Sequence, residues 1–171
     1  MEKVTINKSI NLSEHFTLGE VTKSRYAEIY NIPSHVAIEN LKRVCEWLEE
    51  LRERYNRNYV LVQTTPTPPN SGGEIDTEEP IMINSGYRSP ELNKKVGGSP
   101  TSNHLTGCAV DIRVAGIEQA MRYAVILMDY ADETKQDYDE LLIERNRSGG
   151  YWLHFAVRPK DNRRKTMFIQ K

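Results

Sequence analysis

Glu140-Leu141-Leu142-Ile143-Glu144-Arg145-Asn146-Arg147-Ser148-Gly149-Gly150-Tyr151-Trp152-Leu153-His154-Phe155-Ala156-Val157 is the most informative run in the chain. Two apolar, β-branched and aromatic stretches, Glu140–Glu144 and Tyr151–Val157, flank a short segment of turn formers, Arg145–Gly150. That arrangement predicts an antiparallel hairpin. Upstream, Tyr59–Val62, Ile81–Asn84 and Ala109–Val114 read as further strands, and Thr166–Gln170 as an edge strand.

The helices come mostly first. Ile38, Leu41, Val44, Cys45, Leu48, Leu51 and Tyr55 recur at three- and four-residue steps, which predicts an amphipathic helix from Ser34 onward. Thr17-Leu18-Gly19-Glu20 is spaced as a capping box and predicts one short helix before it. Pro90–Val96 reads as a turn or two of helix closed by Gly97-Gly98. A helix from Gly116 to about Tyr130 is expected to turn Ile117, Ala120, Met121, Ala124, Ile126 and Leu127 inward. Helices followed by strands, with one helix between them, predict an α+β fold: a small, mostly antiparallel sheet with helices packed on one side.

The 171 residues are a length for one domain, residues 1–171, and there is no internal repeat. The Pro/Gly-rich stretch within 63–79 holds Pro66, Pro68, Pro69, Gly72 and Gly73, and is expected to be an exposed insertion. Lys and Arg number 23 against 24 Asp and Glu, so bulk electrostatics argues against nucleic acid as a partner. No apolar stretch approaches the ~20 residues a bilayer span needs, so no membrane partner is expected. Met1–Lys8 lacks an apolar secretion core, which predicts synthesis in the cytoplasm without a signal peptide. Two cysteines make no disulfide framework, and Cys45 falls on the apolar helical stripe as a buried thiol.

Three polar groups sit where burial should penalise them. Asp111 interrupts the apolar strand Ala109-Val110-Asp111-Ile112, and His154 interrupts Trp152-Leu153-His154-Phe155-Ala156; His104 lies in a loop of small polar residues. Two imidazoles and one carboxylate suggest a shared cation. The nitrogen-rich set suits a single Zn²⁺ with a fourth position left for water, the arrangement of a catalytic site. Zinc lowers the pKa of its water to about 7 and polarises a carbonyl, so amide hydrolysis is the matching chemistry.

Ser102, His104, Gly107, Ala109 and Asp111 form Ser-x-His-x-x-Gly-x-Ala-x-Asp, followed by Trp152-x-His154 and preceded by Ser85-Gly86-Tyr87-Arg88-Ser89-Pro90-Glu91-Leu92-Asn93. With Val96–Ser99 and Leu12–Leu18, this pattern resembles the zinc D-alanyl-D-alanine carboxypeptidase family. That family includes L-alanyl-D-glutamate endopeptidases acting on cell-wall peptides, and the likeness is to its carboxypeptidase-like branch, phage or prophage type. The resemblance implies a Hedgehog/D-Ala-D-Ala-peptidase-like fold, with His104, Asp111 and His154 as zinc ligands. It also implies Arg88 binding a substrate carboxylate or carbonyl, and Ser102 hydrogen-bonding substrate.

The general base is expected at Glu144 rather than in a Glu-x-x-His motif, because Tyr151 stands three residues before His154. If the hairpin pairs even positions with even positions, Glu144 shares the face of His154. His15, His35 and Cys108 are not expected to be ligands; His15 is expected to be structural, and His35 lies at a helix start. The expected function is a monomeric zinc peptidase cleaving peptidoglycan stem peptides, an endolysin-like enzyme that reaches the cell wall after phage-type release. The alternative is a zinc-containing but inactive wall-binding or phage structural module.

Overall fold

The computed structural model describes residues 7–60 and 78–171. Its elements run α1 (Leu18–Thr22), α2 (His35–Tyr55), β1 (Ile83–Ser85), α3 (Pro90–Lys95), β2 (Ala109–Arg113), α4 (Ile117–Thr134), β3 (Glu140–Arg145), β4 (Tyr151–Ala156) and β5 (Lys165–Gln170). A π-helical turn, Asn56–Val60, extends α2, and a 3-10 turn, Asn103–Thr106, precedes β2.

Local chemistry starts and stops these helices. The capping box closes around α1, with Glu20 N–H donating to Thr17 Oγ1 and Thr17 N–H to Glu20 Oε2 at 2.8 Å. Ser34 Oγ accepts from Ala37 N–H at the start of α2, and Ser89 Oγ from Leu92 N–H at the start of α3, where Pro90 takes the first turn. The apolar stripe of α2 is buried: Leu41, Val44, Cys45, Leu48 and Leu51 are all at 0% exposure. Fully burying each of the aliphatic side chains in that set is worth about 1.5–3 kcal/mol.

The five strands form one sheet in the order β1-β2-β4-β3-β5. The β1–β2, β2–β4 and β3–β4 pairs are antiparallel, whereas β3 and β5 run parallel. The sheet is therefore mixed rather than mostly antiparallel. After the β3–β4 hairpin, the chain returns through 157–164 to the far side of β3, and β5 enters in the direction of β3. Even positions of β3 and β4 oppose one another, as in Leu142↔His154 and Glu144↔Trp152.

This register divides the sheet into two faces. Leu141, Leu153, Phe155, Val110 and Ile112 point into the core shared with α2 and α4. Trp47 of α2 joins the layers, its ring 5.4 Å from Phe155 and 4.8 Å from Tyr130 of α4. Tyr55 meets Tyr123 edge to face at 4.8 Å. The opposite face carries Ala109, Asp111 and Arg113 beside Trp152, His154 and Ala156, and beside Glu140, Leu142 and Glu144.

Three expectations are corrected. Tyr59 and Val60 belong to the π-helical turn, not to a strand; Leu61 and Val62 lie outside the described residues. Tertiary contacts override the strand-like composition, since Asn56 Nδ2 donates to Arg52 O and Glu79 O while Asn56 Oδ1 accepts from Glu79 N–H. The strand expected at Ile81–Asn84 is shorter and shifted, Ile83–Ser85. Ile117 and Met121 are exposed, because the face of α4 that meets the core carries Ala120, Tyr123, Ala124, Leu127 and Ala131 instead. The expected insertion at 63–79 lies outside the described residues apart from Glu78 and Glu79.

Candidate metal centre

Asp111 and His154 are direct cross-strand partners in the middle of the sheet, so their side chains leave the same face side by side. His104 reaches them from the 3-10 turn. Ser102 caps that turn, its Oγ accepting from His104 N–H at 3.3 Å. Gly107 closes it with φ 73°, and Cys108 N–H donates to Asn103 O as the chain enters β2. A side chain at Gly107 would be strained at that φ, and its Cβ would stand 2.4 Å from the carbonyl oxygen of Ala37. The first turn of α2 therefore packs directly against the loop that carries His104.

The Ser85-Gly86-Tyr87-Arg88-Ser89 stretch frames the site from the other side. Gly86 O lies 2.6 Å from His104 Nδ1, and Arg88 N–H donates to His104 O at 3.0 Å. Tyr87 N–H donates to Val21 O at 2.7 Å, which brings α1 so close that a Cβ on Gly86 would meet Val21 O at 2.3 Å. Ser89 N–H donates to Asn31 Oδ1 and its hydroxyl caps α3. Arg88 Nε donates to Ser85 Oγ at 2.9 Å, and Nη2 to Asp111 Oδ2 at 2.5 Å.

The three predicted ligand residues come together. His154 Nδ1 lies 2.9 Å from Asp111 Oδ1, and His104 Nε2 lies 3.3 Å from the same oxygen. One ligand atom from each of the three lies within 4.8 Å of the other two. Donors held at ~2.0–2.2 Å from one tetrahedral ion stand about 3.3 Å apart, close to the 2.9 and 3.3 Å that separate the two imidazoles from Asp111 Oδ1, and two nitrogens with one carboxylate suit Zn²⁺ in chemistry. Burial opposes ionisation of Asp111, but the flanking imidazoles of His104 and His154 outweigh it and hold the carboxyl well below its usual range. Burial also disfavours a charged His154, yet Asp111 and Glu140 raise its pKa to about 9. His104 Nε2, His154 Nδ1 and a carboxylate of Asp111 thus face a common point.

The other predicted residues are placed as follows. Arg88 spends part of its fork on Asp111 and Ser85. The Ser102 hydroxyl accepts from the backbone of His104. Glu144 is buried on the same sheet face, one residue pair from His154, and its carboxylate is paired with Lys171. Besides Asp111, the carboxylate that reaches His154 is that of Glu140, 3.4 Å from Nε2. Glu140 was missed from sequence although it shares the alternation of Leu142 and Glu144. His15 lies away from this group, with Nδ1 2.7 Å from Glu49 Oε2. His35 opens α2 and is exposed. Cys108 is buried and free, its Sγ directed at Thr106 O.

No curated protein matches the chain. Residues 74–136, which carry Arg88, His104 and Asp111, match the model of the family described as Peptidase M15, the zinc metallopeptidase family to which the motifs point.

Proposed function

We propose that this chain is a zinc-dependent peptidase that hydrolyses peptidoglycan stem peptides, of the D-Ala-D-Ala carboxypeptidase or L-Ala-D-Glu endopeptidase type. The observation that carries the proposal is the convergence of His104, Asp111 and His154 on one point of the sheet face. The family match over 74–136 supports it. These three residues would hold the ion, which when bound supplies Lewis acidity and an acidified water.

The chain's own groups account for the remaining work. Arg88 holds Asp111 Oδ2 and so leaves Oδ1 turned to the two imidazoles. The same guanidinium places positive charge beside the site, where a substrate carboxylate or a developing oxyanion would be stabilised. The Ser102 hydroxyl, already accepting from His104 N–H, keeps its own hydrogen to donate to a substrate carbonyl. Glu144 is the general base: a buried carboxylate on the same face, it takes a proton from the attacking water and returns it to the leaving amine. Its pairing with Lys171 must open for that role.

Mass spectrometry of products from purified sacculi and defined muropeptides tests the proposal. New amine termini at a D-Ala-D-Ala or L-Ala-D-Glu bond, abolished in Glu144→Gln while zinc stays bound, are expected. Full activity in Glu144→Gln would remove Glu144 from the role. Zinc at full occupancy with no cleavage would favour the second reading, an inactive wall-binding or phage structural module. One observation favours that reading: Tyr151 stands where a Glu-x-x-His motif would put a carboxylate, and the remaining candidate is held by Lys171.

A further inference from the structure

Each imidazole of the site has one nitrogen turned to Asp111 Oδ1 and the other turned to an oxygen. For His104 the outer partner is a main-chain carbonyl, Gly86 O at 2.6 Å from Nδ1. For His154 it is a side chain, Glu140 Oε2 at 3.4 Å from Nε2. Glu140 reaches the ring because its own cross-strand partner is Ala156, a small residue that leaves the diagonal to His154 open.

Glu140 is itself held from several sides. Asn103 Nδ2 donates to its Oε2 at 3.1 Å; Arg163 Nη2 and Lys165 Nζ lie 3.0 and 3.5 Å from its Oε1. Asn103 precedes His104 in the chain, and the same amide donates to Asp139 Oδ2 at 2.7 Å. Asp139 is fully buried, with Arg158 and Arg163 on its two oxygens. A polar lattice thus runs from the loop of one imidazole to the far nitrogen of the other.

We propose that Glu140 is a positioning residue: its carboxylate, against Nε2 of His154, holds the ring with Nδ1 turned to Asp111 and His104. The proposal rests on the metal-site reading above. A ligating imidazole whose outer N–H is held by a carboxylate is oriented before the ion arrives, and losing such a partner costs about 10- to 100-fold in affinity. Glu140 meets the ring nitrogen that is turned away from Asp111, so it acts on the orientation of the imidazole.

The test is zinc affinity at fixed pH, by competition with a chromogenic chelator, for the wild type, Glu140→Ala, Glu140→Asp and Glu140→Gln. The visible spectrum of each Co²⁺-loaded protein gives a second readout. Glu140→Ala is expected to bind zinc about 10- to 100-fold more weakly and to change the cobalt bands. Glu140→Gln keeps an acceptor oxygen at the same reach and is expected to recover most of the affinity. Glu140→Asp withdraws the oxygen by one methylene and should fall between the two. If Glu140→Ala does not fold, the order of the Gln and Asp variants decides. A flat series in which the wild type binds zinc tightly would overturn the role of Glu140 and leave the metal site standing. A wild type that binds no zinc, or binds it equally well as His104→Ala, would instead overturn the metal reading itself.

Discussion

Gly107 and Gly97 offer a matched test of how tightly the ligand loop is packed. Their φ angles are nearly the same, 73° and 71°. An alanine at Gly97 would meet nothing within 4 Å, whereas at Gly107 its Cβ would stand 2.4 Å from Ala37 O and 3.1 Å from Ala37 C. Both substitutions place an L-residue in left-handed backbone, at about 1–2 kcal/mol. A stiffer unfolded chain returns ~0.4–1 kcal/mol. Gly97→Ala should therefore cost about 1 kcal/mol.

The atoms met at Gly107 are main chain in a helix that buries Leu41, Val44 and Leu48, so no rotamer change relieves the contact. Overpacking of that kind adds about 1–3 kcal/mol, giving about 3 kcal/mol for Gly107→Ala. For a chain of this length those losses correspond to Tm decreases of roughly 3 °C and 9 °C. Thermal unfolding of the metal-free variants, followed by circular dichroism, provides the measurement. Equal losses for the two variants would refute the claim that α2 seats the His104 loop by direct contact.

Four other outcomes are expected. His104→Ala, Asp111→Ala and His154→Ala should each abolish stoichiometric zinc retention after dialysis, measured by atomic absorption, because each removes one of the three converging donors. In the metal-free protein, the raised pKa of His154 makes its contribution to stability complete below about pH 6.5 and lost as the pH climbs through about 9. Melting temperatures across that window should fall without metal and fall less with zinc bound. Asp139→Asn should cost ~2 kcal/mol in urea unfolding, since charged hydrogen bonds with Arg158 and Arg163 are lost. Asp139 is held below its ordinary pKa, because Arg163 and Asn103 outweigh burial, so the stability it confers is present above about pH 3.8 and lost as the solution is acidified. Burial pushes Cys45 to about 12 and also raises Cys108, so neither thiol should be alkylated by iodoacetamide at pH 8 until the protein is denatured.

The hairpin was legible because strands of period two flanked a segment of turn formers. The capping box around Thr17 and Glu20 and the stripe from Ile38 to Tyr55 were legible because helix ends and faces are written in local spacing. The pairing of β5 was not: an alternation identifies a strand but carries no direction for its partner. The strand expected at Tyr59–Val62 failed where Asn56 binds Glu79 across an intervening stretch, a contact no local window contains. At the site, the convergence of His104, Asp111 and His154 follows from polar groups placed against the apolar pattern. Glu140 escaped notice because a charge at the beginning of a strand is unremarkable until register puts it diagonal to a histidine. Arg88 is expected from the resemblance to face a substrate, and its bond to Asp111 joins residues 23 positions apart, a contact that local spacing does not reveal.

The pairing of Asp111 with His154 has a consequence for how the sheet is proofread. A shift of β4 against β2 by a single position would rotate His154 into the layer occupied by Leu153 and Phe155, among Trp47 and the helices. Misaligned sheets would then lack a third donor, so ion capture would discriminate among alternative alignments and draw the population toward the correct one.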